Sequence, residues 1–143
     1  FNRIHAEISK TELLILGEGP LENELIRHVS ELGINNSVHL LGRLSNPFPL
    51  MKRSDCFILS SNHEGQPMVL FEAIILNKPI IATDIIGARS VLNNRTGVLV
   101  DNSEDGLYSG MRDFIENKLT FNDYDIEDYQ NNAIEMFYQK CLH

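Results

Sequence analysis

Five short apolar runs, spaced along the sequence with helix-length stretches between most of them, restrict the fold more than any other feature. They are "ELLILG" (Glu12–Gly17), "VHLLG" (Val38–Gly42), "CFILSS" (Cys56–Ser61), "PIIATD" (Pro79–Asp84) and "GVLVD" (Gly97–Asp101). Each has the length of a strand, and each is too continuously apolar for a strand with one face in water. Between the first two, Leu21, Leu25, Val29 and Leu32 recur at intervals of four, four and three. That spacing predicts an amphipathic helix closed by Gly33. Further helices are expected at Pro49–Ser54, Pro67–Leu76, Ser103–Asn117 and Asp125–Leu142, with a turn or short helix at Ala88–Asn93. Buried strands alternating with helices specify the α/β class, a parallel sheet covered on both faces.

Such sheets bind ligands in the crevice beyond the carboxyl ends of their strands. The segments that matter are therefore Gly17–Pro20, Gly42–Leu44, Asn62–Pro67 and Asp84–Arg89. Composition narrows the ligand. The 143 residues carry a net charge of −8, which disfavours whole-surface attraction to nucleic acid or anionic lipid. A phosphate-bearing ligand would need local donors, such as backbone N–H groups or a helix N-terminus. No apolar run approaches the roughly 20 residues that cross a bilayer, and no secretory signal pattern is present. Cys56 and Cys141 lie 85 positions apart, a usage that fits buried thiols in a reducing compartment. The length suits one domain, and Phe at position 1 suggests a piece of a longer protein.

The stretch "SSNHEGQPMVLFEA" (Ser60–Ala73) is the most informative of the crevice segments. Pro67 stands where a helix would begin, a position at which its missing N–H costs nothing. The N–H groups of Met68, Val69 and Leu70 would then present the positive end of the helix dipole to the crevice. Gly65 leaves the approach open for a ligand to reach the backbone. Glu64 and Glu72 are eight apart, a rotation of only about 80° at 3.6 residues per turn, so both can border one groove. A carboxylate accepts hydrogen bonds from paired hydroxyls. Phosphate at the helix start with hydroxyls on either side outlines a nucleotide sugar. By itself the spacing also fits two solvated surface glutamates.

With its neighbours the stretch resembles the two-glutamate motif of retaining GT-B glycosyltransferases of group 1. The blocks "LLILGEGP", "VHLLGR", "DCFILSSNHEGQPMVLFEAIILNKPIIATDIIG" and "TGVLVD" follow in the family's order. The resemblance is close from Leu13 to Asp101 and positional beyond. It implies the Rossmann-like, C-terminal half of a GT-B fold, a donor-binding domain spanning residues 1–143 and partial at its N-terminus. It implies that Glu64 contacts hydroxyls of the donor sugar and is the catalytic candidate, and that Glu72 binds the ribose. Gly65, Gln66, Pro67 and Met68 would hold the sugar, and Val69 and Leu70 the diphosphate. Gly17 and Gly19 would line the nucleotide, and Arg43 and Leu44 would border the base. The implied donor is a nucleotide sugar, expected to be a UDP-sugar, transferred with retention and without metal or other cofactor. The acceptor, a glycan or lipid, would bind an N-terminal domain outside this sequence, in polysaccharide or cell-envelope glycan synthesis. The expected location is cytoplasmic, or peripheral at the inner membrane face.

The resemblance also has a gap. The family's Arg and Lys, which neutralise the leaving group, follow a strand upstream of "LLILG", and Arg3 and Lys10 lack that context. In the family this strand lies between those corresponding to "ELLILG" and "CFILSS". Without it, the two would pair directly or leave backbone groups unpaired, in a destabilised or oligomeric fragment. The chain alone is expected to bind nucleotide weakly and catalyse nothing.

Competing readings are a non-catalytic Rossmann-like nucleotide-binding or regulatory domain and a nicotinamide-dependent oxidoreductase. "GEGPLE" lacks the third glycine of a dinucleotide fingerprint. "DYD" (Asp123–Asp125) matches a metal-binding triplet of the other glycosyltransferase fold, but sits in an acidic stretch and reads as a helix start. The five histidines show no metal-ligand spacing, though His63 adjoins Glu64. Arg89, beyond a strand end, either faces an anion or closes a structural salt bridge.

Overall fold

A computed structural model describes residues 1–65, 67–92 and 97–121. In chain order its elements are α1 (Asn2–Glu7), β1 (Leu13–Ile15), α2 (Glu22–Glu31), β2 (Val38–Leu40), α3 (Phe48–Arg53), β3 (Phe57–Leu59), α4 (Met68–Ile75), β4 (Ile80–Thr83), α5 (Ile86–Val91), β5 (Val98–Val100) and α6 (Glu104–Ile115). All five expected strands are present, each trimmed to three or four residues. The short helix expected at Ala88–Asn93 instead begins at Ile86, directly after β4. The expected helix Asp125–Leu142, the "DYD" triplet, Gln66 and Cys141 lie outside the described residues.

The strands form two parallel sheets, β1–β2 and β3–β4–β5. Each connection between paired strands carries a helix, as parallel pairing requires. β1 and β3 do not pair with each other, so each sheet ends at one of them.

β4 is the centre of the larger sheet, and both its faces are covered. Ile80 and Ala82 join Leu59, Leu70, Ala73, Ile74, Ala88 and Leu92 in one core beneath α4 and α5. On the opposite side α6 lies across β4 and β5, with Gly110 against Ile81 and Val100. α1 packs against α6, where Arg3 pairs with Asp105 and lies over the Tyr108 ring.

Helix ends follow local rules. Ser103 caps α6 by accepting from the Gly106 N–H at 3.0 Å. α2, α4 and α6 end at left-handed Gly33, Asn77 and Asn117, each with paired backbone bonds back into the last turn.

The stripe on α2 departs from expectation. Of Leu21, Leu25, Val29 and Leu32, only Val29 is buried, while Leu21 is 61% exposed. A two-stranded sheet is too narrow a platform to cover a three-turn helix face.

Candidate functional site

Because every strand pairing is parallel, the strand exits within each sheet lie at one end. The β1 and β2 exits form one group. Gly17 and Gly42 both take positive φ, at 124° and 59°, which glycine adopts at no steric cost. They are tied by Gly17 N–H donating to the Gly42 carbonyl at 2.9 Å. Glu18, Gly19 and Pro20 follow on the first loop, and Arg43 and Leu44 on the second, with Gly19, Arg43 and Leu44 exposed. Gly17, Gly19, Arg43 and Leu44 thus border one rim.

The β3 and β4 exits form the second group. After Leu59 the chain runs through Ser60–Gly65 to Pro67, which is buried at the N-cap of α4. Pro67 has extended geometry there, and no side chain caps the helix. Leu70 N–H donates to the Pro67 carbonyl at 3.0 Å. Among the described residues, the first-turn donors left without an acceptor are therefore Met68 and Val69, narrower than the three expected. Glu72 follows on the next turn, half-buried, whereas Met68 is exposed. Glu64 is also half-buried, and its Oε1 accepts from Ser61 Oγ at 3.0 Å. Gly65 and His63 are exposed.

Three residues that the sequence reading passed over hold this loop. Thr83 at the end of β4 is fully buried, and its hydroxyl donates to the Ser61 carbonyl at 2.6 Å, with the Leu59 carbonyl 3.4 Å away. Gly87 of α5 lies directly beneath the loop. A Cβ there would sit 2.5 Å from the Glu64 carbonyl oxygen and 3.0 Å from that of Gly65. Ser61 itself links Thr83 to Glu64, its carbonyl accepting from Thr83 and its hydroxyl donating to Glu64. The available signal was Thr83 itself, a hydroxyl closing an otherwise apolar strand.

Arg89 closes the structural alternative. Its Nη2 donates to Asp84 Oδ2 at 2.8 Å and its Nε to Oδ1, a bidentate pair on the surface. The guanidinium holds the Asp84 carboxyl below the usual carboxylate range. Cys56, at the start of the β3 run, is a free thiol pushed up to about 12 by burial, which leaves it protonated and unreactive at neutral pH.

Among the described residues no hydrogen bond or ion pair joins the Gly17–Leu44 rim to the Glu64–Glu72 group. No cluster of three or more His, Cys, Asp or Glu is placed to hold a metal there. No helix among them is long and apolar enough to cross a membrane.

Comparison with known proteins adds a family to this geometry. The family described as "Glycosyl transferases group 1" matches residues 1–136. An uncharacterized glycosyltransferase of Methanocaldococcus jannaschii is 42% identical over 93 residues, 64% of this chain and 23% of that protein. The N-acetylgalactosamine-N,N'-diacetylbacillosaminyl-diphospho-undecaprenol 4-alpha-N-acetylgalactosaminyltransferase of Campylobacter jejuni is 33% identical over 108 residues, 73% of this chain and 30% of that protein. The Anabaena protein HepE, solved in complex with UDP-glucose, superposes with a TM-score of 0.66 at 25% identity, over 75% of this chain and 32% of its own. The chain spans less than a third of the length of each of these.

Proposed function

The chain belongs to the group 1 glycosyltransferases, and on that premise we propose that residues 1–143 are the domain that holds the nucleotide-sugar donor. The observation that carries the proposal is the loop between β3 and α4. It delivers a tethered carboxylate, Glu64, then two backbone donors, Met68 and Val69, that have no acceptor among the described residues, then a second carboxylate, Glu72, one turn into the helix.

Each part has a chemical task in donor binding. The N–H groups of Met68 and Val69 face the diphosphate and stabilise the charge that develops on it as the sugar leaves. Glu72 accepts from the ribose hydroxyls, and Glu64 from hydroxyls of the sugar. Gly65 and Pro67 border the sugar, Gly17 and Gly19 line the nucleotide, and Arg43 with Leu44 border the base. HepE binds UDP-glucose, which supports a UDP-sugar as the donor here.

The whole protein, in this proposal, is a hexosyltransferase that works with retention and without a bound metal. The undecaprenol-linked glycan named for the Campylobacter relative supports an acceptor of the glycan or lipid class. It would bind a separate N-terminal domain, on the cytoplasmic side, with peripheral attachment to the inner membrane face. Residues 1–143 by themselves bind donor and transfer nothing.

A panel of UDP, GDP, ADP and NAD titrated into the chain by calorimetry tests the donor site, with Glu72→Ala as control. One diphosphate nucleotide should bind, and the variant should bind it about tenfold or more weakly, as expected when a charged hydrogen-bond acceptor is removed. Binding of NAD alone, or nucleotide binding indifferent to Glu72, would overturn the proposal. EDTA should leave the binding unchanged.

A further inference from the structure

We propose that Thr83, Ser61 and Gly87 act together as positioning residues for Glu64, setting its carboxylate toward the donor sugar before any donor arrives. The inference rests on the donor-site reading above and extends it to residues that touch no part of the donor.

A glutamate in an exposed loop has three free side-chain torsions, and a ligand that needs one arrangement must freeze them on binding. Here one contact restrains the side chain in advance, and two others fix the backbone that carries it. The Thr83 hydroxyl, fully buried, is spent on the Ser61 carbonyl at 2.6 Å, which pins the start of the loop to the end of β4. Ser61 Oγ holds Glu64 Oε1 at 3.0 Å. It is a single-proton donor, so the second carboxylate oxygen of Glu64 stays available to a sugar hydroxyl. Gly87 presses from below. With no side chain it lets the Glu64 and Gly65 carbonyls approach to where a Cβ would be 2.5 and 3.0 Å away. Backbone on backbone leaves no flexible group to yield, so the loop height is set by the absence of that one carbon.

The three contacts come from different elements: β4, the loop itself, and α5. Their common target is the segment Ser61–Gly65. The consequence is specific to the sugar, because Glu72 and the Met68 and Val69 donors stand on α4 and do not depend on the Glu64 tether. Loss of the tether should therefore weaken binding of a UDP-sugar and leave UDP alone.

The test compares UDP with UDP-glucose, UDP-galactose and UDP-N-acetylglucosamine on the wild-type chain, taking the sugar nucleotide that binds more tightly than UDP. Thr83→Val, Ser61→Ala and Gly87→Ala are each expected to lower that preference about three- to tenfold, the scale of one hydrogen bond, with UDP affinity held within about twofold. Thr83→Ser, which keeps the hydroxyl, should restore it. In the Glu64→Ala background Thr83→Val should have little further effect. Amide hydrogen exchange at Asn62–Gly65 should quicken in Thr83→Val and return to wild type in Thr83→Ser.

Wild-type and Glu64→Ala chains with the same sugar preference would sink the donor-site reading, and this inference with it. A preference that depends on Glu64 but is untouched by Thr83→Val and Ser61→Ala would overturn the inference alone. So would faster loop exchange with the preference intact, which is the mark of a merely structural role.

Discussion

β4, at the centre of the larger sheet, and β1, in the two-stranded pair, are both apolar strands, yet they are buried to very different degrees. Ile80, Ile81 and Ala82 of β4 are 0% exposed, because helices lie on both faces and strands on both edges. In β1 every residue is only half-buried, and Leu21, Leu25 and Leu32 near or on α2 remain exposed, Leu21 most of all. The difference lies in what surrounds the strands and not in their composition. A strand becomes core only when two neighbours and two layers enclose it. The two regions also divide the proposed labour: the packed sheet fixes Glu64 and α4 in place, and the looser pair supplies the nucleotide rim.

The comparison can be broken in several ways. Ile80→Ala, at the fully enclosed strand, should cost about 2–5 kcal/mol in chemical denaturation. Gly110→Ala would put a Cβ 2.7 Å from Val100 Cγ1 and 3.0 Å from Ile81 Cγ2, and should cost about 1–3 kcal/mol by overpacking. Leu25→Ala, on the exposed stripe of α2, should cost under about 0.5 kcal/mol. A loss as large as that of Ile80→Ala would mean that the β1–β2 region is enclosed after all. Amide exchange sharpens the same point. Protection should be greatest in β4 and clearly lower in β1 and β2.

The smallest effect is electrostatic. Arg89 lowers the Asp84 carboxyl in the folded state, so the pair adds stability fully above the ordinary value of 3.8. That contribution should fade as pH falls below it, through the lowered folded value. The pair is on the surface, so the effect should be slight. An Asp84→Asn variant should flatten this part of the pH profile, as thermal melts between pH 5 and 2 would register.

The legibility of the fold follows the same division. Alternating runs named all five strands, because continuous apolar stretches bounded by Gly, Pro and Asp admit few other structures. α4 was legible from Pro67, which stands where a helix can begin. The α2 stripe was legible as a helix but not as an exposed one, since periodicity gives a face and says nothing of what covers it. The resemblance left open whether β1 and β3 would pair directly, and only the structure shows that they do not. At the site, Glu64 and Glu72 stood out through their setting around Pro67. Thr83 and Gly87 did not. Their roles depend on contacts 22 and 23 positions away along the chain, at Ser61 and Glu64, which spacing rules for a single element cannot reach. Arg89 could be read two ways until its bond to Asp84 was seen.

The central claim is that one face of this chain, at the strand exits, holds a nucleotide diphosphate. The most direct measurement is an amide NMR titration of the chain with UDP at millimolar concentration. The account predicts shifts concentrated at Met68, Val69 and Glu72, with a second set at Gly17, Gly19 and Arg43, and none in α1 or α6. Shifts confined to other surfaces, or none at all, would contradict it.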